Sequence, residues 1–152
     1  MLSCRIPTAV EINVFDSLDE RIAFDSLDER IAVEHFLGKN LADAEALFRE
    51  DSTTYTGDLL AMGPWAFFYY VQAAINYLRS DASVGDREVA RYFAATLDCR
   101  LIGAGPIVSI KADLRSTVEF ILIHFDKFGF DKDTDEYCNV EHQYRLLLSR
   151  LA

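Results

Sequence analysis

Asp131-Lys-Asp133-Thr-Asp135 begins like a calcium-binding loop. Such a loop needs glycine at its sixth position, for a sharp turn, and a bidentate glutamate at its twelfth. Those places hold Glu136 and His142. The acids read instead as the start of a helix, where carboxylates favour the positive end of the dipole. His35, His124 and His142 share no helical turn with one another and stand beside no cysteine at ligand spacing, so no metal site is expected. Glu34-His35 and Glu141-His142 are neighbours in sequence, and neighbours on a helix do not face each other. His124, among Ile121, Leu122, Ile123 and Phe125, reads as a core or boundary residue. Gly103-Ala-Gly105-Pro106 lacks the third glycine and the preceding strand of a dinucleotide fingerprint, and reads as a hinge. There is no Gly-x-Ser-x-Gly elbow. No catalytic residue, metal ligand or cofactor is therefore assigned.

The aromatic run Trp65-Ala-Phe-Phe-Tyr-Tyr70 is the best candidate for a ligand surface, with Trp65, Tyr69 and Tyr70 as its contacts. Tyrosine hydroxyls want partners when buried. Aromatics at helical spacing are more often core than pocket, but a pocket beside such a helix is compatible with a bundle.

The elements that must position these residues are helical. Proline is favoured at the first helical position, so Gly63-Pro64 starts a helix. From Trp65 to Leu78 its apolar residues cover nearly the whole circumference, the pattern of a central helix over about 64–79. Ser17-x-x-Glu20 and Ser26-x-x-Glu29 are capping-box patterns, and the second leads into Val33–Leu37. Asn40 caps a helix over Leu41–Glu50. Asp51–Gly57 reads as loop, with a short turn at Asp58–Met62. Ser83 or Asp86 caps a helix to about Leu101. A longer one carries Ile110, Leu114, Val118, Ile121 and Phe125 and stops near Gly129. Asp133 or Thr134 starts the last. Only Thr8–Val14 alternates like a strand, and with no sheet to join it reads as coil or a pairing arm within residues 1–14. The expectation is an all-α fold, about six helices around the 64–79 helix, in one domain of 152 residues.

Phe15-Asp-Ser-Leu-Asp-Glu-Arg-Ile-Ala23 is repeated at once as Phe24–Ala32. A nine-residue shift turns a helix by about 900°, so in one straight helix the two copies would face opposite ways. The second copy, which runs on into Val33–Leu37, is expected in the docked position. The first is expected to be displaced, either tolerated as a duplication or used as a contact for another subunit.

The chain has 25 acids and 15 bases, net -10. Eleven of the acids fall between Asp16 and Asp51 against four bases, a local excess of -7. This field repels phosphate backbones and anionic bilayers and attracts basic proteins. Nucleic acid and membrane are set aside as partners. Three scattered cysteines, Cys4, Cys99 and Cys138, suit buried free thiols in a reducing compartment. The first residues lack the pattern of a signal peptide, which points to the cytoplasm.

Phe36-Leu-Gly-Lys-Asn-Leu-Ala-Asp-Ala-Glu-Ala-Leu-Phe48 and Asp58-Leu-Leu-Ala-Met-Gly-Pro-Trp-Ala-Phe-Phe-Tyr-Tyr70 are similar to segments of small uncharacterised bacterial helical proteins of the hypothetical or mobile-cassette type. The resemblance implies a bacterial origin and transfers no catalytic residue. The leading expectation is a non-enzymatic interaction protein that binds a basic partner as immunity proteins do, through Asp16, Asp19, Glu20, Asp25, Asp28 and Glu29, with self-association compatible. The alternative is a small-molecule-binding protein or enzyme with an aromatic pocket beside the 64–79 helix.

Overall fold

The computed structural model describes residues 5–8, 11–12, 27–101 and 109–152, with the backbone alone at 27–29. Among these residues the chain is all helical. Six α-helices follow in order: α1 Leu27–Phe36, α2 Leu41–Ala61, α3 Pro64–Arg79, α4 Arg87–Arg100, α5 Lys111–Ile123 and α6 Asp135–Arg150. Two short 3-10 turns, Asp81–Ser83 and Phe125–Phe128, sit between α3 and α4 and between α5 and α6.

Local chemistry sets most boundaries. The Asn40 side chain accepts from the Asp43 amide at 2.8 Å, and Asp43 accepts from the Asn40 amide at 3.3 Å, a reciprocal cap on α2. Asp86, not Ser83, caps α4, accepting from the Val89 amide at 3.1 Å. Ser83 is buried in the preceding turn and donates to the Leu78 carbonyl. Thr134 caps α6, accepting from the Tyr137 amide at 3.3 Å.

Four expectations are corrected. The segment after Asp51 is helix, not loop: Asp51 alone leaves helical geometry, at φ -155 and ψ 83, and α2 resumes beyond it. Its carboxylate accepts from the Thr54 amide at 3.2 Å and hydroxyl at 2.8 Å, so Asp51 caps the second half. In the Thr8–Val14 stretch, Glu11 and Ile12 are helical rather than coil or a pairing arm. The Ile12 amide donates to the Thr8 carbonyl at 3.0 Å, and Thr8 and Glu11 cap each other. The long helix ends at Ile123, and Gly129 follows the 3-10 turn at φ 81, a left-handed conformation that suits glycine. Cys99, Cys138 and His124 are exposed rather than buried.

Helix α3 packs against α2 and α5, α2 against α1 and α4, and α6 against α4 and α5. Ten residues of α3 are buried, more than in any other helix described. One aromatic cluster joins α1, α2 and α3: Phe36 lies 4.7 Å from Tyr70 and 6.1 Å from Phe48, ring to ring. Another gathers Phe125, Phe130, Tyr137 and Tyr144. Each fully buried ring contributes roughly 1.5–3 kcal/mol.

Cations tie the helix ends together. The Arg100 guanidinium donates to the Leu59 and Leu60 carbonyls at 2.8 and 2.9 Å and to that of Met62, at the end of α2. Lys127 donates to the Leu78 and Ser80 carbonyls at 2.7 and 2.8 Å, at the end of α3. Beside it the Gly85 amide donates to the Lys127 carbonyl at 2.8 Å, and a Cβ on Gly129 would come against the Gly85 backbone.

The first copy of the duplicated nonapeptide lies outside the described residues, as does the Gly103–Pro106 hinge. The second copy enters α1, where Ala32 is fully buried.

Candidate functional site

Trp65, Tyr69, Gln72, Asn76 and Arg79 recur at steps of four and three, so they form one stripe along α3. Along most of this stripe α3 is open to solvent. Trp65 is 58% exposed, Gln72 is half-buried, and Asn76 and Arg79 are exposed. Two clefts open along it.

The larger cleft, about 430 Å³, lies between α3 and α5. Gln72, Asn76 and Arg79 line it from α3; Asp113, Ser116 and Thr117, one turn apart, line it from α5. Val71, Ile75 and Ile110 supply its apolar wall. Arg79 is fixed in place. One of its terminal nitrogens donates to the Ser116 hydroxyl at 3.0 Å, and its guanidinium carbon lies 5.0 Å from the centre of the Phe120 ring. Thr117 is buried and donates to the Asp113 carbonyl at 2.8 Å, so it steadies the first turn of α5. The Gln72 amide nitrogen is engaged by the Tyr69 carbonyl at 3.3 Å. Among the described residues, the Asp113 carboxylate and the Asn76 amide bond to no protein group.

The smaller cleft, about 240 Å³, lies at the start of α3, lined by Arg5, Pro7, Glu11, Trp65, Phe68 and Tyr69. Arg5 and Glu11 form a two-pronged pair at 2.8 Å across it. That pair and the Thr8 amide hold the Glu11 carboxyl down to about 2. The arm is joined to the helix start where the Gly63 amide donates to the Ile12 carbonyl at 2.7 Å.

The three aromatic candidates separate accordingly. Trp65 and Tyr69 line the smaller cleft. Tyr70 faces the other way and is fully buried. Its hydroxyl proton is shared between the Phe36 and Lys39 carbonyls at 2.7 and 2.8 Å, and burial pushes its ionisation well up. Tyr70 is a strap holding the α1–α2 corner, not a ligand contact. Of the acidic candidates, Asp16, Asp19, Glu20 and Asp25 lie outside the described residues, as do the side chains of Asp28 and Glu29.

One pairing escaped the sequence. His35 Nδ1 meets the Asp58 carboxylate at 2.6 Å, 23 positions away, with the Tyr55 ring edge-on at 5.0 Å. Asp58 is buried and the imidazole is 30% exposed. Such an arrangement orients a histidine for proton transfer. His35 lines neither of the two clefts, however, and the pair joins α1 to α2. Among the described residues, no group of three or more His, Cys, Asp or Glu is placed to hold a metal ion, and no helix is long and apolar enough to cross a membrane.

No protein-family model matches this chain, nor does any curated protein or solved structure.

Proposed function

We propose that this chain is a binding protein for a small polar molecule, held in the cleft between α3 and α5. One observation carries the reading. A space of about 430 Å³, within the range usual for ligand sites, is lined by a fixed guanidinium, a carboxylate, two amides and two hydroxyls over an apolar wall. These groups recognise rather than react: among the described lining residues there is no histidine or cysteine to serve as base or nucleophile. The test is a proton–nitrogen NMR titration of the full chain with a panel of small polar metabolites. Binding should move the side-chain amide signals of Gln72 and Asn76, and Arg79→Gln should abolish it. A panel that leaves both signals unmoved refutes the reading.

A second reading has its own support. The bases are largely occupied within the protein. Arg49, Arg91, Arg115 and Arg145 pair with acids one turn away, Arg150 pairs with Asp98, and Arg100 and Lys127 hold carbonyls. The acidic excess is therefore left without a compensating base, which favours a basic protein partner met through the 16–51 segment, including Asp16, Asp19, Glu20, Asp25, Asp28 and Glu29. Pull-down at low salt, lost at high salt, is the expected result; a salt-insensitive partner, or none, refutes it. Two exposed free thiols, Cys99 and Cys138, suit a reducing interior such as the cytoplasm in either case. Self-association through the first nonapeptide copy would be lost on deletion of residues 15–23, as sedimentation would read.

A further inference from the structure

Resting on the binding reading above, we infer that the cleft between α3 and α5 takes a zwitterion of the α-amino-acid type with an aliphatic side chain. The cleft presents one cation and one anion from opposite walls, Arg79 on α3 and Asp113 on α5. Surface charges that face one cleft in a helical protein ordinarily find each other, as nine Lys or Arg pairs with carboxylates do within 4.0 Å among the described residues. Arg79 and Asp113 do not. Arg79 is drawn one turn further along α5, to Ser116 and the Phe120 face, and Asp113 keeps a free carboxylate. The guanidinium is thus drawn toward Ser116, three positions along α5 from Asp113, where the two side-chain roots stand roughly 5–6 Å apart.

That separation selects a ligand. A molecule with one charge satisfies one wall and leaves the other facing it unmatched. A ligand whose carboxylate and ammonium stand on the same carbon offers each wall its complement: the carboxylate to the free guanidinium N–H groups of Arg79, the ammonium to Asp113. Asn76, whose amide has no protein partner, sits one turn before Arg79 and can donate to the carboxylate or accept from the ammonium. The substituent on that carbon then meets Val71, Ile75 and Ile110, which are aliphatic and favour an aliphatic group.

The test uses the full chain and three matched probes followed by calorimetry and by the Gln72 and Asn76 amide signals. L-leucine carries both charges, 4-methylpentanoate lacks the ammonium, and 3-methylbutylamine lacks the carboxylate. L-leucine should bind saturably, and each analogue should bind about tenfold or more weakly, because it leaves a charged partner unmatched. Arg79→Gln should weaken L-leucine and 4-methylpentanoate together. Asp113→Asn should weaken L-leucine and spare 4-methylpentanoate, with circular dichroism showing both variants folded. Should 4-methylpentanoate bind as well as L-leucine, or Asp113→Asn leave L-leucine binding unchanged, the zwitterion inference is overturned. If other polar ligands move the Gln72 and Asn76 signals while L-leucine does not, the inference fails and the binding reading survives. If nothing moves them, both fail.

Discussion

Asp86 should be among the costliest single positions in the protein. Its two carboxylate oxygens serve three elements at once. One accepts from the Val89 amide at 3.1 Å and caps α4. The other accepts from the Ser52 hydroxyl at 2.5 Å, on α2, and from the Tyr77 hydroxyl at 2.6 Å, on α3. Ser52 and Tyr77 are 8% and 4% exposed, so neither hydroxyl has ready water to turn to. Replacing Asp86 by alanine removes a cap worth about 1 kcal/mol. It also removes two hydrogen bonds to a charged acceptor, about 1.5–3 kcal/mol each. The sum is reduced because the variant no longer desolvates a carboxylate. The expected loss is about 3–5 kcal/mol, a large share of the roughly 5–15 kcal/mol typical of a folded domain. Asp86→Asn keeps one acceptor oxygen and should lose about half as much. Tyr77→Phe should cost about 1–2 kcal/mol alone and much less on top of Asp86→Ala, because the two share one bond. Urea unfolding followed by circular dichroism gives all four values, with an unchanged slope showing that the unfolded state is the same. An Asp86→Ala protein within about 1 kcal/mol of the parent at equal slope would refute the reasoning.

Three other outcomes are expected. Tyr70→Phe should leave the Lys39 carbonyl without its partner, cost about 1–2 kcal/mol and lower the melting temperature by roughly 3–6 °C, with the α3–α5 cleft unaffected. Glu11, whose folded pKa lies at about 2 against an ordinary 4.5, stabilises the arm above the ordinary value, and this is lost as pH falls toward about 2. Trp65 fluorescence should therefore hold steady at neutral pH and change only in that acid window, and Glu11→Gln should remove the dependence. Gly57 and Gly129 should respond to alanine with opposite signs in thermal unfolding. Gly57 is exposed within α2 with open space around it and gains about 0.5–1 kcal/mol, whereas Gly129, at φ +81 against Gly85, loses about 1–2 kcal/mol.

What could be read in the sequence was whatever the chain decides locally. Gly63-Pro64 and Asn40 start helices through their own bonds and dihedrals, and the structure has both. The Ser52–Gly57 stretch misled because serine, threonine and glycine are poor helix formers. Ser52 and Thr56 are buried on one face of α2 and Ser52 is bonded to Asp86, so tertiary packing overrides the local preference. His124 was judged by its apolar neighbours in sequence and Cys99 by the number and scatter of the cysteines, whereas helical phase turns both outward. The site itself left a partial trace. Gln72, Asn76 and Arg79 are the polar members of an otherwise apolar helix, and their spacing with Trp65 and Tyr69 marks one stripe. The same period sets Tyr70 apart from Trp65 and Tyr69. The His35–Asp58 pair left none, because nothing local connects positions 23 residues apart.

The meeting of Gly85 and Gly129 has a consequence for how this chain can diverge. At that corner, two connections are joined by an amide given to a carbonyl, with a left-handed glycine in each. That bond does not consult the identity of the surrounding side chains. The solvent-facing positions of the two turns, such as Ala82 and Asp126, are thus free to drift, while the two glycines, the lysine whose ammonium finishes the joint, and the buried Ser83, Phe125 and Phe128 are not. A complete substitution scan should show intolerance at those six positions and at Asp86, with permissive ground between them. A corner of that kind would also keep its shape when the solvent-facing positions of either turn are exchanged for foreign sequence.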